Sequence, residues 1–233
     1  MTADSLLHLA NDSGGVLYVI AAMLLIALTV IVERVGFLHR VTRQAGAALG
    51  QIDALASLNP GELATCAGRY SGTPVASLLA SASGFSGHAS REALDAHLEE
   101  TIMREAPRID RFLWVLDTIV TLAPLLGLFG TIVGMFNAFQ VLSNPGNAPT
   151  QVTGGVAQAL VATASGLFVA MIGLVFFNGL HNRVRVVVHQ LEVIKAALVN
   201  RMAEGSHEHL HDNTRALREA PRAVVGKIGT HGV

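Results

Sequence analysis

The sequence predicts an all-α integral membrane protein with three transmembrane helices and long cytoplasmic helical extensions. Three observations carry that prediction. Two long apolar segments, residues 112–142 and 154–180, are parted only by the polar stretch 143–153, and Asp117 is the one ionisable side chain between Phe112 and Leu180. A third apolar run, VLYVIAAMLLIALTVIV, lies ahead of them at Val16 to Val32. Basic residues are segregated: of the 16 Lys and Arg, eight fall between Arg34 and Arg111 and eight between Arg183 and Lys227. A helix crosses hydrocarbon with about 20 mainly apolar residues at 1.5 Å each, and Lys and Arg gather on the cytoplasmic side. The expected topology has the N-terminus outside, residues 39–111 inside, 143–153 outside and the C-terminus inside.

Residues 1–15 carry Asp4, His8 and Asp12 but no Lys or Arg. A secretory signal opens on a basic region, so this end is expected to be retained and extracytoplasmic. The first span is 16–38: Val16 to Val32 gives about 25 Å, slightly short, and Gly36, Phe37 and Leu38 complete it. Glu33 and Arg34 fall at its inner boundary, where a solvated ion pair is expected. Residues 39–111 form a cytoplasmic helical region. A helical pattern over Val41 to Leu58 stops at Asn59-Pro60-Gly61. Short helices follow at Glu62 to Tyr70 and Pro74 to Ser83, around the turn Ser71-Gly72, and SASGFSGHAS is a loop. From Ser90 a charged amphipathic helix sets Leu94, Leu98 and Ile102 on one face. Pro107 is expected to kink it without ending it, giving one long helix into the second span. Beyond the periplasmic loop, the third span continues as a cytoplasmic helix, 181–203, with a stripe of Val184, Val187, Leu191, Ile194 and Leu198. Residues 204–233 are expected to be a disordered tail, in which His207, His209 and His211 are incidental.

Composition narrows the function. A net charge of −1 gives no electrostatic footprint for nucleic acid. A single cysteine, Cys66, excludes an intrachain disulfide and a Cys-rich metal site. No phosphate-cradling loop, nucleophile with a base partner or metal-ligand spacing is present. The chain is expected to be no enzyme and to hold no cofactor or metal.

Within the spans, Ala123, Gly127, Gly130, Gly134 and Ala138 recur every three or four residues, as do Gly155, Ala159, Ala162, Gly166, Ala170 and Gly173. Such stripes let helix backbones approach in lipid, where no hydrophobic drive joins helices. Close packing accounts for them, but less well for the polar positions Thr121, Thr131, Asn137, Gln158, Thr163 and Ser165. One threonine satisfies itself on its own backbone. Thr131 and Thr163, at matched depth and each on a small-residue stripe, suggest a polar seam. Asp117 is sharper, since an acid inside a membrane segment is costly and faces a partner or water. It stands only six residues after Arg111, so the inner interface is its other placement.

These residues carry a resemblance. APLLGLFGTIVGMFNAF (Ala123 to Phe139) followed by GVAQALVATASGLFVA (Gly155 to Ala170) resembles the MotA/TolQ/ExbB proton-channel family, on its ExbB/TolQ side. The likeness extends to the three-span topology, over most of residues 15–203. It implies a homopentamer in a bacterial inner membrane, whose second and third spans line a pore around a dimeric ExbD- or TolR-like single-span partner. Proton flow would then drive work on a TonB- or TolA-like protein. The resemblance places pore threonines at Thr131 and Thr163; Thr121, Gln158 and Ser165 are expected to line the same proton path, with Asp117 at its cytoplasmic mouth as an exit or counter-charge. Gly127, Gly130, Gly134, Gly155, Gly166 and Gly173 would pack the helices. One departure stands out: Gln158 occupies the position of a usual Glu and cannot ionise. With no acid deep in its own spans, the chain needs a partner to supply the titrating Asp. The leading expectation is an ExbB-like subunit energising TonB-type transport. Alternatives are a TolQ-like envelope-maintenance motor and a structural scaffold without conduction. A flagellar stator normally has four spans, and a solute transporter fits poorly with three spans and no internal repeat.

Overall fold

The computed structural model describes residues 15–54, 59–85, 90–142 and 149–219, with side chains through 140 and again over 153–202. Among the described residues every regular element is a helix: α1 (Val16–Ala54), α2 (Pro60–Arg69), α3 (Pro74–Ser83), α4 (Arg91–Ile109), α5 (Leu113–Leu142) and α6 (Pro149–Glu219). Three of them, α1, α5 and α6, are long and apolar enough to cross a membrane. The chain divides into two compact units, Met1–Arg43 with Glu105–His189 and Gln44–Arg104 with Gln190–Val233.

The first unit holds the apolar spans. Along α1 it buries Val16, Ile20, Ala27, Ile31, Arg34, Leu38 and Val41, a stripe at helical spacing. The antiparallel pair α5 and α6 meets through small residues, with Ala123, Ala138, Ala159 and Ala162 all buried. Their other faces leave Leu125, Leu128, Phe129, Ile132, Phe136, Leu160, Phe168 and Met171 open. In water so large an apolar surface is a liability. Against hydrocarbon it costs nothing, because each helix satisfies its own backbone.

The second unit is packed like a soluble helical domain. Pro60 and Pro74 open α2 and α3 at the first turn, where a missing N–H is harmless. Glu62 and Arg69 complement the two ends of the α2 dipole. The turn between them needs Gly72, whose φ of +83° a side chain would resist. Ser90 caps α4, its hydroxyl accepting from the Ala93 N–H at 3.2 Å. Leu94, Leu98 and Ile102 on α4, and Leu191, Ile194 and Leu198 on α6, are buried. Lys195 bridges acidic partners on α4, donating to Glu99 at 2.6 Å and standing 3.4 Å from Asp95. The Glu99 hydrogen bond raises the Lys195 ammonium above its ordinary range, against desolvation and with Asp95 adding to it. A raised folded value means the contribution is whole below the unfolded lysine value and fades as pH climbs through the folded one. Lys195→Met is therefore expected to lose about 1 kcal/mol, the partners being half-exposed and screened. Thermal unfolding of detergent-purified protein is expected to show a constant gap from pH 7 to 9. The gap narrows only above about pH 10.5.

Several sequence expectations change. Pro107 lies inside α4, yet the long continuous helix expected there is interrupted farther on. α4 ends at Ile109, and the chain turns through Asp110 to Phe112 before α5 begins. Phe112 sits at φ +65°, a left-handed conformation costing a side-chain-bearing residue about 1–2 kcal/mol. The compensation comes from Arg34. It is not in a solvated pair: Arg34 is 2% exposed, and only its partner Glu33, 2.9 Å away, is half-exposed. The Arg34 guanidinium donates to the carbonyls of Arg108 and Ile109 at 3.3 and 3.4 Å. It also lies 5.2 Å from the Phe37 ring and 5.6 Å from the Phe112 ring. Those carbonyls are the acceptors a helix end leaves unmatched. At the other end of the hairpin, α6 starts at Pro149, inside the loop expected over 143–153, and residues 143–148 lie outside the described residues. α6 also runs to Glu219, through the start of the expected tail, while 220–233 and the side chains of His207, His209 and His211 lie outside the described residues.

Candidate functional site

Backbone proximity between α5 and α6 comes first, because it creates the site. A Cβ placed on Gly127 would lie 3.0 Å from the Thr163 Cα, and one on Gly134 2.8 Å from the Ala159 Cβ. Gly130 faces Ala162 in the same way, Gly155 faces Ala138, and Gly173 faces Val120. Gly166 is tightest, since its Cβ would run into the Ala123 carbonyl oxygen and the Gly127 backbone. With the helices this close, a side chain on one reaches the main chain of the other. Thr163 does so: its hydroxyl donates to the Gly127 carbonyl at 2.9 Å.

Thr131 stands within about one turn of that depth, since Gly130 packs on Ala162. Its hydroxyl donates to its own helix, to the Leu128 carbonyl at 2.6 Å. Thr131 and Thr163 are both half-buried. Each has committed its one proton to a carbonyl, so each oxygen presents lone pairs and no donor. The seam thus suits an incoming O–H, such as a protonated carboxylic acid. Thr121 is exposed and donates to the Asp117 carbonyl at 3.0 Å. Gln158 and Ser165 are half-buried on α6, and Asn137 is exposed on α5. No ionisable side chain lies between Asp117 and His181 in the sequence.

Asp117 lies elsewhere, at the start of α5. It is exposed and lines a groove of about 550 Å³ with Asp110 and Arg111 of the turn, Trp114, and Phe177 and His181 of α6. The His181 ring stacks on Phe177 at 5.9 Å between centroids. Among the described residues no three His, Cys, Asp or Glu side chains come together to hold a metal.

Sequence reasoning missed Arg34 and His181. For Arg34 the signal was available: it occupies the seven-residue spacing Ile20, Ala27, Val41, Ala48, whose other members are all apolar and buried. For His181 the signal was its position one residue past the apolar span, near the level of Arg111 in an antiparallel pair.

Residues 72–193 match the sequence profile of the MotA/TolQ/ExbB proton channel family. A protein named ExbB-like 3 from Synechocystis sp. is 32% identical over 171 residues, 71% of this chain and 80% of that protein. An ExbB homolog from Methanothermobacter thermautotrophicus is 26% identical over 241 aligned positions, 96% of this chain and 81% of its own. The Tol-Pal system protein TolQ of Haemophilus influenzae is 39% identical over 85 residues, 36% of this chain and 37% of TolQ.

Proposed function

Because the chain belongs to the MotA/TolQ/ExbB proton channel family, we propose that it is an ExbB-like subunit of an inner-membrane motor that uses the proton gradient to energise TonB-type transport. In this reading its N-terminus is periplasmic and its basic segments are cytoplasmic. Five copies enclose an ExbD- or TolR-like single-span partner whose Asp carries the proton. The observation supporting it is the pairing of two acceptor-presenting hydroxyls, Thr131 and Thr163, with the absence of any acid at their depth. A protonated partner carboxyl finds acceptors there; once ionised it loses them and is repelled by the apolar surroundings, so its stay at the seam is governed by its protonation. Gln158 adds hydrogen bonding without charge.

The test is proton flux into vesicles holding the chain with and without its single-span partner. Flux is expected only with the partner, falling at least tenfold in Thr131→Val and Thr163→Val, which corresponds to about 1.4 kcal/mol or more. Thr163→Ser keeps the bond to Gly127 and is expected to conduct. A scaffold without conduction predicts no flux from an assembled complex and silent threonine changes. The similarity to TolQ keeps the envelope-maintenance role as the second reading, separated from the first by which of a TonB- or TolA-like protein the complex engages.

A further inference from the structure

We propose that the groove between the start of α5 and the far end of the α6 span is a proton-transfer site, in which Asp117 and His181 carry protons between the polar seam and water. This rests on the proton-conducting reading above, in which Asp117 was already expected on the path, and adds His181 and the groove the two share. Helical geometry links the groove to the seam. At 100° per residue, Thr121 and Thr131 fall within about 40° of Asp117 on α5, and Thr163 and His181, five full turns apart, share one line on α6. The seam threonines and the groove residues therefore lie along the same two helix faces.

Depth orders the two groups. Gly173 packs on Val120, so Asp117 is level with residues near Val175, and His181 lies about 9 Å nearer the helix end. Asp117 is the deeper relay and His181 the one beside water. Stacking on Phe177 restrains the imidazole. Trp114, 70% exposed, forms an apolar wall beside them. The other charged groups facing the groove are Asp110 and Arg111, and Arg111 rests on the Phe112 ring at 4.4 Å. In the transfer itself the Asp117 carboxylate takes a proton arriving from the seam. Its O–H then breaks to a water in the groove, which hands one of its own protons along water to an imidazole nitrogen of His181, and the imidazolium releases a proton to bulk water. The carboxylate and the neutral ring are both restored.

The test uses the full chain with its single-span partner in vesicles, read by a pH-sensitive dye across pH 5.5 to 8.5. Asp117→Asn and His181→Phe, the latter keeping a ring against Phe177, are expected to lower flux about tenfold and to flatten its pH profile. Asp117→Glu is expected to conduct, and added imidazole to restore His181→Ala. Flux and pH profile unchanged in both Asp117→Asn and His181→Phe, while Thr131→Val abolishes conduction, would overturn this proposal alone. Absent flux in the unaltered complex overturns it together with the reading it rests on.

Discussion

Gly166→Leu is expected to remove the folded protein from the membrane. The new Cβ would meet the Ala123 carbonyl oxygen, with the Gly127 Cα 3.0 Å away, and both are backbone atoms of a helix that cannot yield locally. α5 and α6 must then separate along their whole small-residue seam, at a cost of about 3 kcal/mol or more. That separation also removes the Thr163 hydroxyl from the Gly127 carbonyl. Even Gly166→Ala is expected to be severe, because the clash begins at Cβ. Gly36→Ala and Gly179→Ala are the controls: nothing stands within 4 Å of either, and alanine favours helix over glycine by about 1 kcal/mol. Yield of monodisperse protein after detergent extraction, with thermal unfolding of what remains, separates the two classes. Wild-type yield of Gly166→Leu would mean that α5 and α6 do not pack at this position.

Arg34→Ala carries the second large effect. It leaves the Arg108 and Ile109 carbonyls without their donor and Phe112 in a left-handed conformation with less to hold it there. Breaking a buried charged interaction by removing one partner costs about 3–5 kcal/mol, which lowers the unfolding midpoint by on the order of 10 °C for a chain of this size. Arg34→Lys is expected to recover little of it. One guanidinium nitrogen, Nη1, serves both carbonyls; the lysine ammonium ends one bond short of it and has no flat face to lie beside Phe37 and Phe112. Equal midpoints for Arg34→Ala and the unaltered protein would show that the turn holds itself.

How far the sequence foretold this molecule depends on whether a feature is periodic or needs a distant partner. The three spans were legible because length and apolarity alone decide them. The stripes at Leu94, Leu98 and Ile102 and at Leu191, Ile194 and Leu198 were legible because helical spacing does. Gly127 and Gly166 could be placed on the right faces, though nothing in the chain said that Gly166 would be the tightest contact. The turn at Asp110 to Phe112 was not legible: Pro107 drew attention to the wrong place, and a phenylalanine with positive φ carries no turn signature. Arg34 was misjudged because a charge beside Glu33 at a membrane boundary has an ordinary solvated explanation, and its carbonyl partners are more than seventy residues away. At the site, both threonines were expected from type and depth. The acceptor of Thr163 and the convergence of His181 with Asp117 required the antiparallel register.

Arg34 grips main-chain oxygens, and this has a bearing on how related chains are compared. A carbonyl is the same whichever residue supplies it, so this contact makes no demand on the side chains at 108 and 109; what holds Ile109 is its own burial. No compensating exchange would ever be recorded between the two ends of this contact. Methods that infer proximity from paired substitutions are blind to it, and relatives that share the turn would betray it only through a lone arginine set in an apolar stripe.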